Sequence, residues 1–187
     1  MGKVERNPDL RDVAHRLDGS GIAWVVFAGA AAAAYGARRM LTDVDILVPA
    51  SEAGRVSDLF PEAEVQDHAS GHRGFVLPGF DILAGLPLMD LDPAMAARLR
   101  SSEIAGVEVP VIPPEDNILL KAMWGRGAAE RKHDWEDVEA MLGHLPSLDW
   151  VYLRWRAGQF ADSERAEQVL QRLEHLWQQK QASDKGR

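Results

Sequence analysis

The sequence predicts an α/β protein, a sheet core up to about residue 112 followed by an all-helical C-terminal part. Short β-branched runs alternate with helix-forming segments through the first part. The pair Pro113-Pro114 marks the joint, and beyond it every segment carries apolar residues at helical spacing. The expected division is a core at 1–112 and a helical extension at 113–187.

Taken in order, Pro8 to Leu17 reads as a helix, with Leu10, Val13, Ala14 and Leu17 on one stripe and DGSG as its stop. IAWVVFA (22–28) reads as a central strand. Gly29 breaks it, and the alanine run up to Gly36 supplies helix formers. DVDILV (43–48) is a second strand, ended by Pro49, and the segment from Ser51 to Phe60 a helix. AEVQDH (63–68), Gly74–Leu77 and Phe80–Leu83 are further strands, the last two parted by Pro78-Gly79. PAMAARLR (93–100) is a short helix, and SSEIAGVEVPVI (101–112) a hairpin around Ala105-Gly106. Helices then cover 115–127, 128–145, part of 147–160, and 163–180. The tail from Gln181 is polar and expected to fray.

Composition excludes several classes. The 187 residues contain no cysteine, so disulfides, thiolate zinc sites and thiol catalysis are absent. No apolar run reaches the length of a membrane span, and the polar N-terminus carries no signal-peptide core, so a cytoplasmic location without membrane contact is expected. The net charge of −8 disfavours a broad nucleic-acid grip. Any polynucleotide contact would come from a local patch such as Lys121, Arg126, Arg131 and Lys132.

The run FAGAAAAAYGARRMLTDVDILV (27–48) carries the chemistry. Residues two apart on a strand share a face, so Asp43 and Asp45 project together while Val44, Ile46 and Val48 face a core. Adjacent carboxylates repel unless a cation neutralises them, and Mg²⁺ or Mn²⁺ is the cation suited to carboxylate oxygen and phosphate. Asp81, between Phe80 and Ile82, repeats the pattern on a later strand. Upstream, Gly29 sits at a strand-to-helix turn, where unpaired N–H groups and the positive helix end suit a phosphate.

Gly29, Asp43-Val-Asp45 and Asp81 together resemble the nucleotidyltransferase superfamily, the fold shared with DNA polymerase beta. The run from Ala28 to Val48 and the later PPEDNILLKAMWGRGAAERKHDWEDVEAML resemble small bacterial members of the toxin–antitoxin and antibiotic-nucleotidyltransferase kind. The resemblance covers residues 22 to about 143. It implies a mixed sheet flanked by helices, with transfer of a nucleoside monophosphate from an NTP, ATP among them, to a hydroxyl acceptor. That acceptor would be an RNA end, a protein or a small molecule. It implies Asp43, Asp45 and Asp81 as catalytic metal ligands for Mg²⁺ or Mn²⁺, with Asp81 assisting as base. It also implies that Gly29, the Ala30 backbone, Arg39 and Lys121 bind the nucleotide. The chain departs from the motif in two places. Ala30 stands where Gly or Ser is usual, and Arg39-Met-Leu-Thr-Asp43 places threonine beside the first aspartate. A binding or regulatory module that kept the fold without turnover, such as a toxin–antitoxin partner with its own protein ligand, is the rival reading.

Other residues read more plainly. Asp134 and Asp137 lie three apart on one helix and suit ion pairing, for instance with Arg131. His68 and His72 read as loop residues, and the tryptophans, Trp124 included, as packing.

Overall fold

The computed structural model describes residues 9–38, 41–68, 71–130 and 132–185. The chain forms two compact units. Met1–Val26 joins Thr42–Val111 in the first, and Phe27–Leu41 joins Ile112–Arg187 in the second.

The first unit is built on a seven-stranded mixed sheet. Its strands are β1 (Val25–Phe27), β2 (Val44–Val48), β3 (Glu64–Asp67), β4 (Arg73–Leu77), β5 (Phe80–Ala84), β6 (Arg100–Ile104) and β7 (Val107–Val111), in the order β3-β4-β5-β2-β1-β7-β6. β2 runs parallel to β5, and β1 parallel to β7. The hairpins β3–β4, β4–β5 and β6–β7 are antiparallel. Helices α1 (Leu10–Ser20) and α3 (Ala53–Leu59) pack on one another, α1 also reaching β7 and α3 reaching β4. Val13, Leu17, Val56 and Phe60 form their buried faces.

Local chemistry explains these boundaries. α1 starts with a capping box, Asp9 accepting from the Asp12 N–H and Asp12 from the Asp9 N–H. It continues through Asp18-Gly19, past the expected stop. The Ser20 hydroxyl donates to the Leu17 carbonyl at 2.7 Å, and Gly21, at φ 71°, closes the left-handed cap. Pro78-Gly79, with Gly79 at φ 84°, turns β4 into β5. Ala105 and Gly106, at φ 50° and 75°, make the two-residue turn of the β6–β7 hairpin, as expected from sequence. The helix expected at 93–100 shortens to α4 (Pro93–Ala96), because Arg100 already pairs with Val111 as the first residue of β6.

The second unit is helical: α2 (Ala28–Ala34), α5 (Pro114–Trp124), α6 (Asp134–His144), α7 (Trp150–Ala157) and α8 (Ser163–Lys185). The helix expected from 128 begins only at Asp134, since 128–130 form a short 3₁₀ turn. α8 runs on to Lys185, beyond the expected start of the tail. α5 is the hub and packs against α2, α6, α7 and α8. All its residues from Pro114 to Met123 are buried, as expected of a helix enclosed on every side.

Four of those buried residues are polar, and each has a partner. The Glu115 carboxylate accepts from the Asp149 N–H at 2.9 Å. Asp116 pairs with Arg156 at 2.8 Å and accepts from the Tyr152 hydroxyl at 2.7 Å. Asn117 binds the backbone of Ala28, and Lys121 pairs with Asp134 and Asp137. Burial and the Asp116 carboxylate push the Tyr152 phenol well above its ordinary range.

Candidate active site

In the first unit, register places the acidic residues. The Val44 N–H donates to the Gly79 carbonyl at 3.0 Å, which locks the start of β2 to the β4–β5 turn. Val44 then lies beside Phe80, Asp45 beside Asp81 and Ile46 beside Ile82. Residues in register on neighbouring strands project to the same face, so Asp45 and Asp81 form a cross-strand carboxylate pair. Both are half-buried, while Val44, Ile46, Phe80 and Ile82 are buried. Asp43 precedes the strand, is exposed, and accepts from the Thr42 hydroxyl at 2.8 Å.

Among the described residues, no three His, Asp or Glu side chains are already grouped to hold a metal ion. The Asp45–Asp81 pair nevertheless fits a hard divalent cation in donor type and register. Asp43, two residues before Asp45, is the third carboxylate at that end of β2.

In the second unit, the turn into α2 differs from the sequence expectation. The break expected at Gly29 comes one residue earlier: α2 begins at Ala28, whose φ is 53°. Gly29 and Ala30 sit in the first helical turn, where N–H groups lack intrahelical partners. A left-handed alanine costs about 1 kcal/mol or more relative to glycine, so something must hold it. Asn117, from α5, does so: its Oδ1 accepts from the Ala28 N–H at 2.8 Å, and its Nδ2 donates to the Ala28 carbonyl at 3.2 Å. Ala30, Ala31 and Ala32 are fully buried, so the alanine run serves close packing. The Tyr35 hydroxyl ties the end of this segment to the Ile112 carbonyl at 2.6 Å.

Lys121 is 2% exposed, with its ammonium 3.1 Å from Asp134 and 2.8 Å from Asp137. Arg126 pairs with the other Asp134 oxygen at 2.9 Å and lies over the Trp124 ring at 4.3 Å. Burial raises the Asp134 pKa, but Arg126 and Lys121 outweigh it and hold the carboxyl below its ordinary value. Of the basic cluster of the sequence, Lys121 and Arg126 are paired within this unit and Lys132 is exposed. Arg39, expected at the nucleotide, and Arg131 lie outside the described residues. A cleft of about 790 Å³ in this unit is lined by Arg38, His133, Glu136, Asp137 and His144. Gly36 forms part of its wall at φ 105°, and a Cβ there would fall 2.3 Å from the His144 ring.

Ala28 and Asn117 are the residues that sequence reasoning missed. An asparagine inside the apolar run NILL was the available signal, since a buried carboxamide requires partners.

The mixed sheet, the flanking helices and the paired carboxylates define a protein of nucleotidyltransferase type. The chain belongs to the family described as nucleotidyl transferase of unknown function (DUF2204), which matches residues 6–175. Similar solved structures carry the same fold. A nucleotidyltransferase candidate from Thermotoga maritima (TM1012) is 20% identical, with TM-score 0.50, covering 65% of this chain and 85% of that one. An antigenic nucleotidyltransferase-like protein from Paracoccidioides brasiliensis is 16% identical, with TM-score 0.50, covering 86% and 83%. ANT(2")-Ia, solved in complex with adenylyl-2"-tobramycin, is 15% identical, with TM-score 0.50, covering 89% and 95%. No curated protein gives a significant match. No helix among the described residues is long and apolar enough to cross a membrane.

Proposed function

We propose that the protein transfers a nucleoside monophosphate from an NTP to the hydroxyl of a small molecule, with Mg²⁺ or Mn²⁺ as cofactor. The in-register Asp45–Asp81 pair, in a chain of this family, carries the reading. Asp45, Asp81 and Asp43 would hold the cation. When bound, it would offset phosphate charge and orient the reacting oxygens. Asp81 would accept the proton of the acceptor hydroxyl. The Gly29 amide would bind triphosphate oxygens, with the fully buried Ala30 packed behind it, and Arg39 would bind the nucleotide. Lys121, shared between two carboxylates, would act on the nucleotide through the position of α5 and α6.

A small acceptor is favoured over a polynucleotide by the net charge of −8. A cytoplasmic setting and a core–extension division at residue 112 belong to the same proposal.

Incubation with each α-labelled NTP and Mg²⁺ or Mn²⁺, with aminoglycosides, cell RNA or lysate as acceptors, tests it. Label should appear on a small molecule and vanish in Asp43→Ala. Nucleotide binding without transfer to any acceptor would contradict turnover and support the non-catalytic module.

A further inference from the structure

We propose that Asn117 is a positioning residue for the nucleotide turn: its carboxamide holds Ala28 in a left-handed conformation and thereby sets where the Gly29 amide points. This inference rests on the nucleotide role proposed above for that turn.

Asn117 lies 89 residues from Ala28 in sequence and is fully buried on α5. Its side chain offers one acceptor and one donor in a single plane. Those two groups meet the N–H and the C=O of one residue, Ala28, at 2.8 Å and 3.2 Å. Gripping both ends of a residue restrains its φ and ψ together, whereas one bond would leave either free. Nδ2 also lies 3.6 Å from the Met141 sulfur, and the two Ala28 bonds fix which way the amide faces. A flipped amide would set its NH₂ against the Ala28 N–H and its oxygen against the Ala28 carbonyl. No side chain of the N-cap residue, Phe27, supplies a capping bond, so the hold on this turn comes from Asn117. Alanine at φ 53° resists the conformation that the grip imposes, and glycine would adopt it unaided.

The dependence on Asn117 should therefore fall when Ala28 is replaced by glycine. Four proteins test this: wild type, Ala28→Gly, Asn117→Ala and the double variant. Each is measured by Mn²⁺–NTP titration with ATP, CTP, GTP and UTP as probes, and by thermal unfolding. Asn117→Ala should weaken affinity for the preferred nucleotide by about tenfold when Ala28 is present. In the Ala28→Gly background the loss should shrink to under about threefold. Asn117→Ser, too short to grip both ends of Ala28, should show the same dependence on residue 28 as Asn117→Ala, and it serves if the alanine variant does not fold.

An equal loss of affinity in both backgrounds would overturn the proposal. So would a lowered melting temperature with nucleotide affinity unchanged, since the grip would then be purely structural. Wild type that binds none of the four nucleotides would remove the parent reading as well. Wild-type binding without coupling between positions 28 and 117 would remove this inference alone.

Discussion

At the scale of single residues, each role depends on where a side chain is held. The Asp45–Asp81 pairing was legible because both aspartates interrupt apolar strands at alternating positions. Ala28 was not legible. An alanine run encodes helix preference, and nothing local signals that its first member takes φ 53° under a grip from α5. Gly36 is the converse case, a glycine with two demands upon it. Its φ is 105°, and an added Cβ would lie 2.3–2.8 Å from His144 atoms. Gly36→Ala should destabilise the protein by more than about 1 kcal/mol, read as a lowered denaturant midpoint. An unchanged midpoint would show that His144 moves aside at no cost and that the backbone relaxes.

At the scale of elements, α5 explains why the helical part has a defined arrangement. Its buried polar residues meet specific partners: Glu115 the Asp149 backbone, Asp116 Tyr152 and Arg156, Asn117 Ala28, and Lys121 the two aspartates of α6. Such partners penalise other packings, because a misplaced neighbour leaves a buried charge alone. Lys121→Met should cost about 3–5 kcal/mol in unfolding free energy, since two buried carboxylates would lose their shared cation. A loss under about 1 kcal/mol would contradict this, since the buried pairs would then contribute no more than a surface ion pair.

The same network sets an acid limit. Asp134 has a folded pKa held below its usual value, so its contribution is present at neutral pH and is lost as pH falls through and below that value. Asp134→Asn should be less stable at pH 7, and its stability should depend less on pH between roughly 5 and 3. Parallel slopes for the two proteins would contradict the assignment.

Sequence periodicity located α5 and α6 but paired Asp134 and Asp137 with the nearby Arg131. In the structure both carboxylates pair with Lys121, one helix away, and Asp134 pairs also with Arg126, while Arg131 lies outside the described residues. The Lys121 pairing is set by packing that local spacing does not encode. The early end of α4 has a similar cause, because pairing of Arg100 with Val111 overrides helix preference after Ala96.

At the scale of the whole molecule, the fold was the most legible feature. The alternating strand and helix patterns and the helical segments after residue 113 appear in the structure as a mixed sheet and a set of helices. The family to which the chain belongs is described as nucleotidyl transferase, in agreement with that fold. The molecule carries an acidic pair on the sheet, a gripped turn at the start of α2 and a paired cationic network on α5 and α6. Only the first of these is asked to hold a cation.

Electron paramagnetic resonance of Mn²⁺, titrated with a non-hydrolysable NTP into wild type and Asp45→Ala, tests that claim most directly. Nucleotide-dependent Mn²⁺ binding in the wild type, weakened by about a hundredfold or more in Asp45→Ala, is the predicted result. Equal Mn²⁺ binding in the two proteins would contradict it.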